Sequence, residues 1–117
     1  MRIVYLTKAL NYIDSLAPIL YNKDKYFGFY EDAVRYVDDI YDMIEVEIVI
    51  QRHKPAPEYF DKYGKGMKYI TIIKNKRTQY YVFFKTIKKY GEIIHKVRYI
   101  TNNHVSAQYF PGDDLMN

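Results

Sequence analysis

The stretch Gly66–Phe110, GMKYITIIKNKRTQYYVFFKTIKKYGEIIHKVRYITNNHVSAQYF, predicts three consecutive antiparallel strands. From Met67 to Lys74 the side chains fall alternately on two faces, as in a strand with both faces in use. The run Tyr80–Thr86 is rich in aromatic and β-branched residues, which pack well on a pleated surface. Turns are predicted at Asn75–Arg77 and at Lys88–Gly91, where the glycine supplies a positive φ.

Strands are also predicted at the two ends of the chain. The third strand of the meander covers about Glu92–Thr101, and the pair Asn102-Asn103 predicts its end. Near the N-terminus, Arg2–Leu6 is apolar on both sides. That pattern predicts a first strand that is buried on both faces or nearly so.

Two helices are predicted between the first strand and the meander. The first begins at Lys8, with Thr7 as its N-cap, and Pro18 is expected to break or kink it. After a polar connector at Tyr21–Gly28, an apolar stripe at three- and four-residue steps predicts a longer helix from about Phe29 to Ile50.

The resulting order is β-α-α-β-β-β, an α+β fold in which two helices pack on a mostly antiparallel sheet. Pro55 and Pro57 end the helical region, and Glu58–Gly66 is predicted to be a loop or one short helical turn. We expect one domain over residues 1–110, followed by a polar C-terminal tail over residues 111–117.

Charge is distributed unevenly along the chain. Between Lys62 and Phe110 there are eleven Lys and Arg residues and one acid, Glu92, whereas Asp24–Asp61 holds ten acids and four basic residues. The net charge of +4 therefore conceals a strongly basic half. Such a surface attracts phosphates and speeds encounters with polyanions.

Composition excludes several classes of site. There is no Cys, so disulfides, thiolate nucleophiles and Cys-based metal sites are ruled out. The three histidines, His53, His95 and His104, show no metal-ligand spacing, so we expect neither a metal nor a cofactor. No apolar run approaches the roughly 20 residues of a bilayer span, and no signal peptide is evident. We therefore expect a cytoplasmic protein without membrane contact.

The order of elements, together with three sequence features, resembles the RelE/ParE superfamily of bacterial toxins. The features are the aromatic strand Gln79–Phe84, the segment Ile94–Ile100 with Arg98, and the polar C-terminus with His104. The likeness covers about residues 1 to 110. It implies a toxin of a type II toxin–antitoxin pair that is neutralised by a cognate antitoxin protein.

Members of this superfamily act in two ways. RelE-like members cut mRNA in the ribosomal A site without a metal, so the resemblance implies the ribosome and mRNA as partners. ParE-like members inhibit DNA gyrase and hydrolyse nothing themselves. A third interpretation of the basic half is a nucleic-acid-binding or adaptor module without toxicity.

RNA cleavage without a metal requires a base, an acid and cations around the phosphate. Arg98 is the candidate transition-state clamp, because a guanidinium holds a phosphate in two bonds. His104 is the candidate acid or base, and Tyr109 is a candidate acid or stacking residue. Glu92 is a rival base. Candidate backbone contacts come from five further cations, which are Lys74, Lys76, Arg77, Lys85 and Lys96.

Each candidate also has a purely structural interpretation. Arg98 would pair with the acidic second helix, and His104 would be a turn residue with satisfied hydrogen bonds. Tyr109 would pack in an apolar C-terminal patch. His95 alternates with Val97 and Tyr99, which predicts a packed sheet histidine.

Overall fold

The computed structural model describes residues 1–22 and 28–110, and these form an α+β fold with a five-stranded, mostly antiparallel sheet. In chain order the strands are β1 (Arg2–Tyr5), β2 (Lys54–Pro55), β3 (Lys68–Ile73), β4 (Gln79–Lys89) and β5 (Glu92–Asn102). The helices are α1 (Thr7–Asn22), α2 (Tyr30–Ile50) and the one-turn α3 (Asn103–Ser106). Short 3₁₀ helices cover Glu58–Tyr63 and Ala107–Tyr109.

The order of the strands across the sheet is β1-β5-β4-β3-β2. The predicted meander is confirmed, because β3, β4 and β5 pair antiparallel to one another, while β1 lies parallel to β5. Two residues, Tyr90 and Gly91, close the turn between β4 and β5 with φ values of 52° and 78°. Positive φ at both positions is typical of a type I′ turn, which follows the right-handed twist of the strands.

Both faces of the sheet carry a core. On one face α1 and α2 pack against β3, β4 and β5 through fifteen buried residues, among them Ile13, Ile40 and Val82. The opposite side, called here the aromatic face, buries Phe60, Met67, Tyr69, Tyr81, Phe83 and Phe110. Alternation along β4 explains the division, since Val82 points to the helices and Phe83 to the aromatic face.

One prediction about the N-terminal half is wrong, and of the break or kink expected at Pro18 the break does not occur. Strand β1 is not buried on both faces: Arg2 is exposed and the next three residues are half-buried, because β1 is an edge strand paired only with β5. Helix α1 does not break at Pro18 but continues to Asn22. Proline removes one helical hydrogen bond, and burial of Ile13 and Ala17 in the helix-side core stabilises the helix around it.

Several predictions of position are confirmed. Helix α2 begins at Tyr30 and ends at Ile50, and its buried residues are five of those in the predicted stripe. His95 is a buried sheet residue, with its Nδ1 2.8 Å from the Thr86 hydroxyl.

Most of the predicted connector at Tyr21–Gly28 and all of the tail at residues 111–117 lie outside the described residues. No helix in the described ranges is long and apolar enough to span a membrane.

Candidate functional site

The turn between β3 and β4 is fixed by one asparagine side chain. Asn75 Oδ1 accepts hydrogen bonds from the backbone N–H groups of Arg77, at 2.8 Å, and Thr78, at 2.9 Å. The backbone N–H of Lys74 also donates to the Thr78 carbonyl at 3.0 Å. Asparagine favours such turns because its side chain substitutes for a backbone acceptor. The turn therefore presents Lys76 and Arg77 to solvent from a defined backbone.

A second asparagine starts α3 at the end of β5. Asn102 Oδ1 accepts from the backbone N–H groups of His104, at 2.9 Å, and Val105, at 3.2 Å, which is the geometry of an N-cap. Its Nδ2 donates to the Tyr12 hydroxyl at 2.8 Å. Asn102 thus fixes the direction of α3 and ties it to α1.

A third asparagine joins the turn to α3. Asn103 Oδ1 accepts from the Gln79 backbone N–H at 2.9 Å, and Asn103 Nδ2 donates to the Arg77 carbonyl at 3.0 Å. The side-chain amide in effect adds one further pair to the ladder after Tyr80 and Asn102. His104 completes the contact, because its Nε2 lies 3.0 Å from the Thr78 hydroxyl. We call residues 75–78 together with 102–104 the turn–helix junction.

Two cavities flank His104 at this junction. The cationic cleft, about 490 Å³, lies toward the aromatic face and is lined by Lys76, Arg77, Gln79, Tyr81, Asn103, His104 and Ala107. The apolar pocket, about 300 Å³, lies toward the helices. It is lined by Leu16, Ile19, Leu20, Tyr36, Asn75, Thr78, Tyr80, Asn102 and His104. His104 thus lines both cavities, with basic residues on one side of it and apolar residues on the other.

The charges at the junction are available to a ligand. Lys76 and Arg77 are exposed, and neither forms an ion pair with a carboxylate in the described part of the chain.

On the pocket side, the hydroxyl groups of Tyr80 and Tyr36 form a hydrogen bond of 2.9 Å. Burial and that hydrogen bond raise the pKa of Tyr80 far above its usual range, so the phenol is neutral at physiological pH.

Arg98 lies away from the junction. An irregularity in the pairing of β4 with β5, between Phe83 and Phe84, leaves Arg98 as the extra residue of a β-bulge. Its Nε donates to the Tyr63 carbonyl at 3.0 Å, and the side chain lies against Gly64. Arg98 therefore contacts the 3₁₀ segment on the aromatic face and does not pair with the acidic α2. It lines neither the cationic cleft nor the apolar pocket.

Tyr109 also belongs to the aromatic face. Its ring stacks on Tyr59 with centroids 3.4 Å apart, and Lys62 Nζ lies 3.8 Å from the centroid of Tyr59. Hydrogen bonding with Tyr109 and Lys62 lowers the pKa of Tyr59, and the contact with Tyr59 raises the pKa of Tyr109. The structure does not bring Tyr109 into the lining of either cavity beside His104.

The remaining candidate cations are dispersed. Lys74 is largely buried, with Nζ 3.9 Å from Asp39 and 4.3 Å from the ring centroid of Tyr36, so it links β3 to α2. Lys85 and Lys96 lie opposite each other in the ladder. They are six residues along β4 from Gln79, which is roughly 20 Å from the junction. Glu92 lies at the hairpin end, 3.8 Å from Arg2.

The role of the three asparagines that build the junction was not predicted from the sequence. Asn75, Asn102 and Asn103 were predicted only as turn residues or as the end of a strand. The sequence did contain a signal for this role. The segments Asn75–Thr78 and Asn102–His104 both begin with asparagine, a residue whose side chain often forms hydrogen bonds with nearby backbone groups. Their mutual contact becomes visible only when β4 and β5 are in register.

No family model, curated protein or solved structure gave a significant match to the chain. Within residues 1–22 and 28–110, no three carboxylate or imidazole side chains are grouped as metal ligands would be.

Proposed function

We propose that the chain is the toxin of a type II toxin–antitoxin pair and that it cleaves mRNA at the turn–helix junction. The observation that carries the proposal is the position of His104, held at 3.0 Å by Thr78 and bordering the cleft that Lys76 and Arg77 line. An imidazole beside two exposed cations has the parts that metal-independent phosphodiester chemistry needs.

In this mechanism His104 accepts the proton of a ribose 2′-hydroxyl. The 2′-oxygen attacks the adjacent phosphorus, the bond to the 5′-oxygen breaks, and that oxygen takes a proton from solvent. Lys76 and Arg77 stabilise the added negative charge on the phosphate oxygens. The products are a 2′,3′-cyclic phosphate and a 5′-hydroxyl end. Thr78 orients the imidazole, and Asn103 holds the turn against α3.

The architecture supports the same assignment. One strand, two helices and the antiparallel run of β3, β4 and β5 are the features that support it, and the short strand β2 is an addition between α2 and β3. Arg98 departs from the expected set, because its Nε is bound to the Tyr63 carbonyl on the aromatic face. The proposal therefore gives the role of phosphate clamp to Arg77 in place of Arg98.

Induction of the chain in a bacterial host tests the proposal. Wild-type protein is expected to arrest growth and to create new transcript 5′ ends inside coding regions within minutes. His104→Gln removes the proton acceptor and is expected to abolish both effects. A matched control is Lys88→Ala, because Lys88 is an exposed cation on the same hairpin away from the junction. Its expected effect on growth arrest is none.

Other results would select other functions. Growth arrest with intact transcripts and a DNA-damage response would point to a gyrase inhibitor, and arrest that persists in His104→Gln would remove the junction from the mechanism. Harmless expression in its own host would favour a binding or adaptor module. The proposal also includes a cognate antitoxin protein, whose co-expression is expected to restore growth.

A further inference from the structure

The apolar pocket shares His104 and Thr78 with the proposed cleavage site, and its aliphatic and aromatic lining has no role in the cleavage chemistry. It adjoins the cationic cleft at His104, and Thr78 and Asn75 contribute to its edge. Because the cleft attracts phosphates, any ligand of the pocket that is joined to a phosphate would be held at both places. The apolar pocket is therefore continuous with the cationic cleft and is not an isolated surface pocket.

We propose that the apolar pocket binds the base of the nucleotide whose phosphate lies in the cationic cleft. This inference rests on the proposed function for its substrate, RNA. With the base in the pocket and the phosphate beside Lys76 and Arg77, the connecting ribose lies next to His104. Such placement brings the 2′-hydroxyl to the imidazole.

The walls of the pocket suit a flat, partly polar ring. Leu16, Ile19 and Leu20 of α1 give it an aliphatic lining, and Tyr36 and Tyr80 add aromatic lining. Aliphatic and aromatic walls bind the faces of nucleobases whatever their sequence. The volume of about 300 Å³ is at the lower limit of known ligand pockets, about 300–1,000 Å³, which leaves room for one base.

Polar groups at the rim provide hydrogen bonds for the edge of a base. Asn75 uses its Oδ1 within the turn, whereas its Nδ2 donates no hydrogen bond within the described residues. The Asn75 amide is therefore a donor for a ring nitrogen or carbonyl of a base. A purely aliphatic partner side chain would leave this donor unused.

Nucleotide binding, measured without cleavage, tests the inference. The full chain, isotopically labelled, is titrated by NMR with the four nucleoside 3′-monophosphates, with ribose 5-phosphate and with inorganic phosphate. At least one nucleotide is expected to bind about ten-fold or more tightly than ribose 5-phosphate, as stacking of a base implies. Its shifts are expected at Ile19, Tyr80 and Asn102 as well as at Arg77.

A pair of variants separates the pocket from the cleft. Ile19 is exposed on α1, so Ile19→Trp fills the pocket without disturbing the core. Nucleotide affinity is expected to fall to that of ribose 5-phosphate, and phosphate affinity to stay within two-fold. Leu10→Trp is the control, because Leu10 is similarly exposed on the same helix and does not line the pocket.

Two results would overturn the inference. One is a set of nucleotides that bind no more tightly than ribose 5-phosphate. The other is a preference for base-bearing ligands that survives Ile19→Trp. Loss of the proposed function is a separate outcome, since a chain that never cleaves RNA can still show base-dependent binding in this titration.

Discussion

At the scale of single residues, the side-chain hydrogen bonds of three asparagines hold the candidate site together. Asn75 shapes the turn, Asn102 caps α3, and Asn103 bridges the two. Each side chain replaces a backbone partner at a point where the regular ladder has ended. The positions of the turn and of α3 are therefore fixed by these side chains in the absence of a ligand.

Replacement of Asn102 by alanine tests the stabilising part of this account. Asn102→Ala loses the N-cap of α3 and the bond to the Tyr12 hydroxyl, so we expect unfolding free energy to fall by about 2 kcal/mol. Urea denaturation measures the change. Asn11→Ala, at an exposed position of α1, is the control, with an expected change of under about 0.5 kcal/mol. Equal effects of the two substitutions would contradict the role of Asn102.

At the scale of elements, the β-bulge at Arg98 determines how the 3₁₀ segment Glu58–Tyr63 is held on the sheet. The extra residue places both Arg98 and Tyr99 in contact with this segment: Arg98 Nε bonds to the Tyr63 carbonyl, and Tyr99 stacks on Tyr63 with centroids 3.7 Å apart. Burial, followed by hydrogen bonding with Tyr63, raises the pKa of Tyr99 to about 12. The phenol of Tyr99 thus stays neutral in physiological conditions.

Gly64 makes this contact possible. Its φ is 150°, and a Cβ at this position would lie 2.7 Å from Arg98 Nε. We expect Gly64→Ala to lower the unfolding free energy by about 1–3 kcal/mol through backbone strain and the clash. Thermal denaturation measures the loss. A double-mutant cycle with Arg98→Ala separates the two causes, since only the clash disappears when the arginine is truncated.

Gly66→Ala is the control for that prediction, because it tests the cost of a positive φ without a clash. Gly66 has a φ of 73°, and a Cβ added there would meet no other atom within 4 Å, so Gly66→Ala carries only the backbone cost. That cost is roughly 1–2 kcal/mol for a non-glycine residue in the left-handed region. If Gly64→Ala lowered the unfolding free energy equally with and without Arg98→Ala, the proposed contact between Arg98 and Gly64 would be wrong.

At the scale of the whole molecule, carboxylates are concentrated on α2 and two exposed cations lie at the turn–helix junction. Exposed carboxylates lie along α2, among them Asp38, Asp42 and Glu45, while Lys76 and Arg77 extend from the end of the sheet. Such separation favours one orientation toward a polyanion, with the turn–helix junction first. Lys74, paired with Asp39, ties β3 to α2 and is less available for phosphates.

Global stability is expected to depend on pH through His95. Burial, and then the nearby His53 and N-terminal amino group, lower the pKa of His95 below 6.5. The unfolded chain therefore takes up a proton first, and stability present above about pH 6.5 is lost as pH falls toward the folded pKa. The expected slope is at most about 1.4 kcal/mol per pH unit.

Urea denaturation between pH 7.5 and pH 5 measures this dependence. His95→Gln retains a group able to bond with Thr86 and removes the titration, so its stability is expected to vary less over the same interval. An unchanged slope in His95→Gln would contradict the assignment to His95.

Much of the fold was predictable because alternation and helical periodicity are local signals. Strands β3 and β4 and the apolar stripe of α2 each follow one period over many positions, and the structure agrees with these predictions. The bulge at Arg98 shifts the period by one residue, which alternation alone does not reveal. Strand β2 has two residues, and its pairing with β3 depends on contacts distant in sequence.

The candidate site was predictable only in part. His104, Lys76 and Arg77 could be selected for their chemistry, and the structure brings these three to one cleft. Arg98 and Tyr109 were selected for the same reason, yet they lie on the aromatic face among Tyr59, Tyr63 and Gly64. Chemistry can be assigned residue by residue, whereas proximity depends on register and on which side of the sheet a bulge directs each side chain.

The most direct test of the central claim is a cleavage assay with purified protein and ribosomes programmed with a defined mRNA. The account predicts fragments with 2′,3′-cyclic phosphate and 5′-hydroxyl ends, formed without added metal beyond that which the ribosome requires. It predicts their loss in His104→Gln and a reduction of at least about 100-fold in Arg77→Ala, with Lys88→Ala unaffected. Absence of cleavage by the wild-type protein, or equal cleavage by His104→Gln, would contradict it.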